Sequence, residues 1–254
     1  MDRKVEIKKF RSKLKEGKPS IGSWIQIPHP SIAEIMGNSN FDWIALDMEH
    51  GQISYAQLPD LLRSIELGNT LGFVRILENN ESNCKQALDS GAAGIISPKI
   101  ETQSEAISLI NHCKWPPSGS RGVAFSRANL FGKYFEEYID EAQEPIVVAM
   151  IESLKGINNL ESILSVRGLD AVLLGPYDLS ASLNITGQFE NEIFKKIVSK
   201  FKLISNKLKI PYGIHVVEPS LEKLKITVDE GYQFIPFSID GVFLSKAISV
   251  ADDL

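Results

Sequence analysis

The feature that most constrains this chain is a rhythm. Short, continuously apolar runs recur along it, and a longer stretch with helical spacing of apolar residues follows each. The runs are IGSWIQI (Ile21 to Ile27), DWIALD (Asp42 to Asp47), GFVRI (Gly72 to Ile76), GIISP (Gly94 to Pro98), IVVAMIE (Ile146 to Glu152), DAVLLG (Asp170 to Gly175), PYGIHV (Pro211 to Val216) and QFIPFS (Gln233 to Ser238). A strand with one wet face alternates apolar with polar residues. These runs do not, as expected of parallel strands covered on both faces. Eight β-then-α units without a break in composition predict an α/β fold, a single-domain (β/α)8 TIM barrel over residues 1–254. Residues 1–18 read as an N-terminal helix, and about 115–145 as a long loop insertion between strands four and five. Within that insertion RGVAF reads as an extra strand. Its aromatic residues Phe131, Tyr134, Phe135 and Tyr138 point to packing, as a lid or a subunit contact. Neither GxGxxG nor GxxxxGK[ST] occurs, which argues against a dinucleotide or P-loop sheet.

Composition removes several function classes. The net charge is −5 and no basic stripe is visible, so neither nucleic acid nor an anionic membrane surface is an expected partner. Cys84 and Cys113 sit in no CxxC, which disfavours a disulfide framework or structural zinc and fits a reducing cytoplasm. The charged opening MDRKVEIKKFRSKLKEGK lacks the apolar centre of a signal peptide. Apolar runs such as IVVAMI fall far short of the roughly 20 residues a membrane helix needs.

In a (β/α)8 barrel, catalytic groups come from the C-terminal ends of the strands. Strand two ends in Asp47, Glu49 and His50, strand three at Arg75, and strand five at Glu152. Strand six leads through GPYDLS to Asp178. Each has a bland reading. His50 is a histidine held by acidic neighbours, Arg75 a counter-ion to Asp47 or Glu49, Glu152 a cap for the helix near Ser153, and Asp178 the N-cap of LSASL. Taken one at a time the bland readings are preferred. Together they are not, because an unpaired cluster of charge at one mouth is costly to keep for packing alone.

Carboxylates from neighbouring strands, with no thiolate and little imidazole, form a hard oxygen site suited to Mg²⁺ or Mn²⁺ and bound waters. An arginine offers a fork for a carboxylate, and a histidine beside an acid is a base near neutral pH. Cation, arginine and base together describe a 2-oxo acid that is deprotonated next to its ketone. Such a proton lies on the order of ten pK units above imidazole, a gap of ~14 kcal/mol unless the enolate is stabilised. A divalent ion and a guanidinium are the groups that can close it.

FDWIALDMEHG, VRILENN, MIES and above all GPYDLSASL resemble the 4-hydroxy-2-oxoheptanedioate / 2-dehydro-3-deoxyglucarate aldolase family, from about Gly22 to Gly241. The resemblance implies a metal-dependent, class II pyruvate aldolase that converts a 4-hydroxy-2-oxo acid reversibly to pyruvate and an aldehyde. By that resemblance Glu152 and Asp178 hold the metal (Mg²⁺ or Mn²⁺, with Co²⁺ a further alternative), and His50 is the base on the 4-hydroxyl. Arg75 binds pyruvate and steadies the enolate, while Gly175, Pro176 and the amides near Asp178 hold the substrate carboxylate. Asp89 pairs with the histidine, and Asp47 and Glu49 orient His50 and the metal waters. The resemblance also implies a homo-oligomer, a hexamer, with the final segment Gly241 to Leu254 on a neighbour. The chain departs from the family at His215, where an apolar residue is usual. His215, His29 and Trp24 read first as structural and second as substrate-facing. Arg121 and Arg127 read as reaching an anionic substrate tail or pairing with the acids of EEYIDEAQE.

Three rival functions follow from the same residues. One is a Schiff-base aldolase using Lys99, just after strand four; a nucleophilic lysine needs a desolvated site, and the acids here oppose that. Another is a lyase acting on a CoA thioester or phosphoenolpyruvate, for which no basic patch is visible. The third is a catalytically inactive barrel serving as a binding module.

Overall fold

The computed structural model describes residues 2–249. Eight parallel strands form one sheet: Ser20–Ile25 (β1), Trp43–Asp47 (β2), Leu71–Arg75 (β3), Gly94–Ser97 (β4), Ile146–Ile151 (β5), Ala171–Leu174 (β6), Tyr212–Ile214 (β7) and Phe234–Ile239 (β8). Consecutive strands pair from β1 to β7, and β1 also pairs with β8. The cylinder is completed between β7 and β8, where the Val216 amide donates to Pro236 O and the Ser238 amide to Val216 O. The helices are Arg3–Lys15 (α1), Pro30–Gly37 (α2), Leu58–Leu67 (α3), Glu81–Asp89 (α4), Gln103–Cys113 (α5), Phe135–Gln143 (α6), Leu154–Asn158 (α7), Leu160–Leu164 (α8), Pro176–Ser182 (α9), Glu192–Leu208 (α10), Leu221–Asp229 (α11) and Asp240–Ile248 (α12). None is long and apolar enough to cross a membrane. The (β/α)8 barrel is therefore present with each predicted strand within a few residues of its expected place. The final segment is described only as far as α12 and Ser249; residues 250–254 lie outside the described part, as does Met1.

Strand alternation divides the apolar residues into two cores. Ile44, Leu46, Val74, Ile95, Val147, Ala149, Val172 and Leu174 face outward and pack under the helices. Trp43, Ala45, Phe73, Ile96, Val148, Met150, Ala171 and Leu173 face inward and fill the barrel. Helix α1 closes the bottom. Its Ile7, Phe10 and Leu14 join the inner core, with the Phe10 ring edge-on to Phe73 and Phe234 at 5.5 and 6.2 Å. Ionic ties fix its position: Lys13 reaches Asp42 at 2.7 Å and Arg11 reaches Asp170 at 2.6 Å, at the starts of β2 and β6.

The insertion is ordered, but not as a strand. RGVAF runs irregularly into a 3₁₀ turn over Arg127–Asn129 and then α6. The reason is local. The Asn129 side chain donates to Ala124 O and accepts from the amides of Ser126 and Gly132, so it takes one carbonyl of this stretch and turns the chain just after it. Trp115 packs against Phe135 and Tyr138, while Arg3 binds Glu141 and Ala128 O. These contacts hold the insertion against α1 and the barrel bottom, so it is not a lid over the mouth of its own chain.

At Gly22 in β1 the Trp43 indole lies so close that a Cβ would stand 2.1 Å from its ring. Trp43 itself is stacked on Phe234 at 4.4 Å and cannot retreat. Gly22→Ala is expected to destabilise the protein by about 1–3 kcal/mol through overpacking. Denaturant unfolding checks this, and an unchanged midpoint would contradict it.

Candidate active site

Strand alternation also decides which side chains meet at the mouth. Inward positions occur every second residue, so the inner series Trp43, Ala45 continues to Asp47, Phe73 to Arg75, Val148 and Met150 to Glu152, and Leu173 to Gly175. Each strand thus delivers an apolar residue to the barrel interior and a functional one to its rim.

Asp47 is fully buried and every acceptor direction is used. Arg75 grips it with both prongs, Nε to Oδ1 at 2.8 Å and Nη2 to Oδ2 at 2.7 Å. Gln26 Nε2 donates to Oδ2 at 2.7 Å, and the amides of Glu49 and His50 donate to Oδ1 at 3.1 and 3.2 Å. Burial alone would raise the Asp47 pKa. The Arg75 fork and the other donors outweigh it and hold the carboxyl below its ordinary value. This explains why an apolar run ends in DMEHG. Asp47 folds the backbone of the next residues around itself and so fixes where Glu49 and His50 stand.

Arg75 has one nitrogen left over. Its Nη1 lies 3.3 Å from Glu49 Oε2 and 4.0 Å from the Met150 sulfur, and the guanidinium carbon lies 4.6 Å from the centre of the Trp24 ring. Glu49 Oε2 is buried and has no hydrogen-bond partner; His50 Nε2 is 3.9 Å away on a side chain that is 57% exposed. Burial raises the Glu49 pKa, against the pull of Arg75 and His50.

Glu152 follows β5 and is 5% exposed. It does not cap the next helix; Ser153 does that. Its Oε1 accepts from the Lys99 amide at 2.7 Å, an amide aimed there by a left-handed backbone with φ 52°. Across the rim Gly175 leaves room for it: a Cβ there would stand 2.6 Å from Glu152 Oε2. Burial, then the negative charges of Glu49 and Asp178, push the Glu152 pKa from 4.5 to about 7, with the Lys99 amide and Arg75 opposing. Asp178 is exposed in the first turn of α9, whose N-cap is Gly175 rather than Asp178 itself.

The charges therefore do not balance. Arg75 gives two prongs to Asp47 and its remaining nitrogen to Glu49, so one guanidinium serves Asp47, Glu49, Glu152 and Asp178 at one mouth. Among the described residues no three His, Cys, Asp or Glu side chains form a closed metal cluster. Two carboxylates with room for waters is what a hard divalent ion accepts. The acid surplus, the orphaned Glu49 oxygen and the raised Glu152 pKa all fit such an ion.

Asp89 is not brought to this site within the chain. It ends α4, just before β4 begins, and so lies at the opposite end of the barrel from His50. There Arg121 Nη1 lies 3.3 Å away. Arg121 is fully buried and also donates to the Tyr138 hydroxyl; Arg127 binds Ser90 O and Glu66. Neither arginine reaches the mouth or pairs with the acids of EEYIDEAQE. His29 caps α2 by accepting from the Ser31 amide. His215 donates Nε2–H to Ser238 O at 3.3 Å, and burial pushes its pKa down to about 4. Gln26 was not singled out in the sequence. It occupies the inward position after Trp24, so the alternation that places Asp47 and Arg75 would also have pointed to it.

The chain belongs to the HpcH/HpaI aldolase/citrate lyase family, whose sequence model matches residues 20–247. It is an enzyme of the aldolase and lyase class on a (β/α)8 barrel, in keeping with the resemblance drawn from its motifs. It is 32% identical over 247 residues to a hydroxypyruvate/pyruvate aldolase of Roseobacter denitrificans, covering 95% of each chain. It is 31% identical over 242 residues to a 4-hydroxy-2-oxovalerate aldolase of Novosphingobium aromaticivorans, covering 94% of this chain and 91% of that one. The crystal structure of a family protein from Burkholderia cenocepacia superposes with a TM-score of 0.90 at 27% identity, over 96% of this chain and 98% of that one.

The raised Glu152 pKa has a consequence for stability. The folded, metal-free protein holds a proton that the unfolded chain releases above about pH 4.5. The Glu152 contribution is therefore fully present below that value and is lost as pH rises through about 7. In buffer containing a chelator, the melting temperature of the wild type should fall relative to Glu152→Gln across this window. Parallel pH profiles for the two proteins would contradict the assignment.

Proposed function

We propose that this chain catalyses reversible aldol cleavage of a 4-hydroxy-2-oxo acid to pyruvate and an aldehyde, with a divalent cation, Mg²⁺ or Mn²⁺, held by Glu152 and Asp178. The observation that carries this reading is a single guanidinium, fixed on a buried aspartate and flanked by a surplus of carboxylates at the barrel rim. The names of the relatives support it: the Roseobacter protein is a hydroxypyruvate/pyruvate aldolase and the Novosphingobium protein a 4-hydroxy-2-oxovalerate aldolase.

In this reading Arg75 turns Nη1 to the oxygen of the 2-oxo acid and meets the negative charge as it develops there. Asp47 keeps that arginine in place and charged. The amides of Tyr177 and Asp178 stand at the start of α9 behind Gly175 and Pro176, and hold the substrate carboxylate. His50 takes the proton from the 4-hydroxyl. The C3–C4 bond then breaks, its electrons pass into the pyruvate enolate, and the aldehyde departs. An imidazole suits this task because its ordinary titration lies near neutrality. Glu49, between Arg75 and His50, holds both on the same side of the mouth. A divalent ion bound to Glu152 and Asp178 supplies Lewis-acid stabilisation of the enolate charge.

Lys99 fits a Schiff-base mechanism less well. Its side chain is exposed, whereas a nucleophilic lysine needs desolvation to lower its pKa. We also assign the chain to the reducing cytoplasm, supported by two free, buried cysteines. We assign it to a homo-oligomer, a hexamer, supported by the exposed apolar residues Leu244 and Ile248 of α12. Sedimentation at micromolar concentration should show a species larger than one chain, and a monomer would refute that assignment.

A screen of pyruvate with varied aldehydes, with and without Mg²⁺, Mn²⁺ or Co²⁺, tests the reaction. Glu152→Ala should abolish metal-dependent turnover. His50→Ala should slow cleavage by about 10²–10⁴-fold with pyruvate binding largely retained. Wild-type rates for Glu152→Ala in metal-stripped buffer, or trapping of a pyruvate adduct on Lys99 by borohydride, would refute the mechanism.

A further inference from the structure

We propose that Trp24 is a positioning residue for the 2-oxo acid site, the surface on which the Arg75 guanidinium rests, with His215 bracing the indole from behind. The proposal rests on the reading of Arg75 as the pyruvate-binding group and concerns how its free nitrogen is aimed.

A two-pronged contact between arginine and carboxylate fixes direction within their common plane. It does not fix tilt, because the guanidinium can still rock about the line joining the two groups. In this site tilt is what matters, since Nη1 is the one nitrogen not bonded to Asp47. Beside the 3.3 Å contact of Nη1 with Glu49 Oε2, which holds the nitrogen from its edge, Trp24 supports the flat face of the group. Its ring centre lies 4.6 Å from the Arg75 guanidinium carbon, within the range in which a cation is drawn to an aromatic face. The indole is 2% exposed, so water does not weaken the attraction.

Trp24 in turn is held from two sides. The Trp43 ring meets it at 6.2 Å and 81°, and the His215 ring at 5.9 Å and 67°, both edge-to-face. His215 is anchored by its bond to Ser238 O, which also accepts from Ser23 Oγ at 3.3 Å. Ser238 has a left-handed backbone, φ 57°, in β8, opposite the place where the pairing of β1 shifts register between Gly22 and Trp24. A strained residue beside a catalytic rim is found where the surroundings over-determine it. Here the irregular pairing brings the last inward residue of β1 under Arg75, and the Ser238 carbonyl under His215. A histidine here, in place of the apolar residue expected of the family, thus gains a role that needs no contact with substrate.

The test compares Trp24→Phe, which keeps an aromatic face, with Trp24→Leu, which keeps apolar volume without one. Pyruvate binding to each is measured by calorimetry in buffer containing Mg²⁺, alongside KM, kcat and thermal unfolding. Trp24→Leu is expected to weaken pyruvate binding and raise KM about tenfold, with Trp24→Phe within about threefold of the wild type. Should Trp24→Leu fail to fold, Trp24→Met takes its place in the same comparison. Equal weakening in both variants, in step with their loss of melting temperature, would reduce Trp24 to a packing residue and overturn the proposal. Wild-type affinity in the non-aromatic variant would also overturn it. If the wild type itself bound no pyruvate, the pyruvate-site reading would fail, and the proposal with it.

Discussion

Everything at the rim of this barrel depends on one buried ion pair. Asp47 has no solvent exposure and Arg75 is nearly as deep. Each would be untenable alone, since removing one partner of a buried pair costs about 3–5 kcal/mol. The geometry that makes the pair acceptable also makes it useful. By taking two prongs of Arg75, the amides of Glu49 and His50 and the amide of Gln26, Asp47 organises the ends of β1, β2 and β3 around one point. It also draws on the positive charge of Arg75. The neighbouring acids share what remains of it, Glu49 through the 3.3 Å contact with Nη1, and burial first, then the repulsion of like charges, raises the pKa of Glu152.

The ledger of charge links fold to chemistry. A barrel interior filled by Trp43, Phe73, Val148 and Leu173 has a low dielectric, and its rim inherits part of that. Carboxylates set there exert strong fields on one another and on whatever enters. A surface cluster of the same composition would be screened and would hold a cation weakly. Gly175 and the Lys99 amide contribute without charge, the first by leaving room beside Glu152 and the second by directing one of its oxygens.

The barrel was legible because its strands are apolar on both faces and its units repeat, so the period alone identified them. The rim acids were legible because strand ends are where such folds place chemistry. What escaped the sequence depended on three-dimensional neighbours. Asp89 is paired with the histidine by the family resemblance, yet its helix carries it to the far end of the chain's own barrel, where Arg121 meets it. RGVAF has strand-like composition, but the Asn129 side chain claims the Ala124 carbonyl and the amide of Ser126 that follows it. Trp24 and His215 look like any core residues in one dimension. Only the folded chain shows that Trp24 lies against Arg75 and His215 behind Trp24.

The most direct measurement of the central claim is a calorimetric titration of metal-free protein with Mn²⁺ near pH 7, repeated in two buffers of different protonation enthalpy. The acid surplus predicts about one ion per chain, displaceable by Mg²⁺. It also predicts release of a fraction of a proton on binding, because Glu152 titrates at about 7, and that release should vanish in Glu152→Gln. Absence of binding, or undiminished binding with the same proton release in Glu152→Gln, would contradict the account.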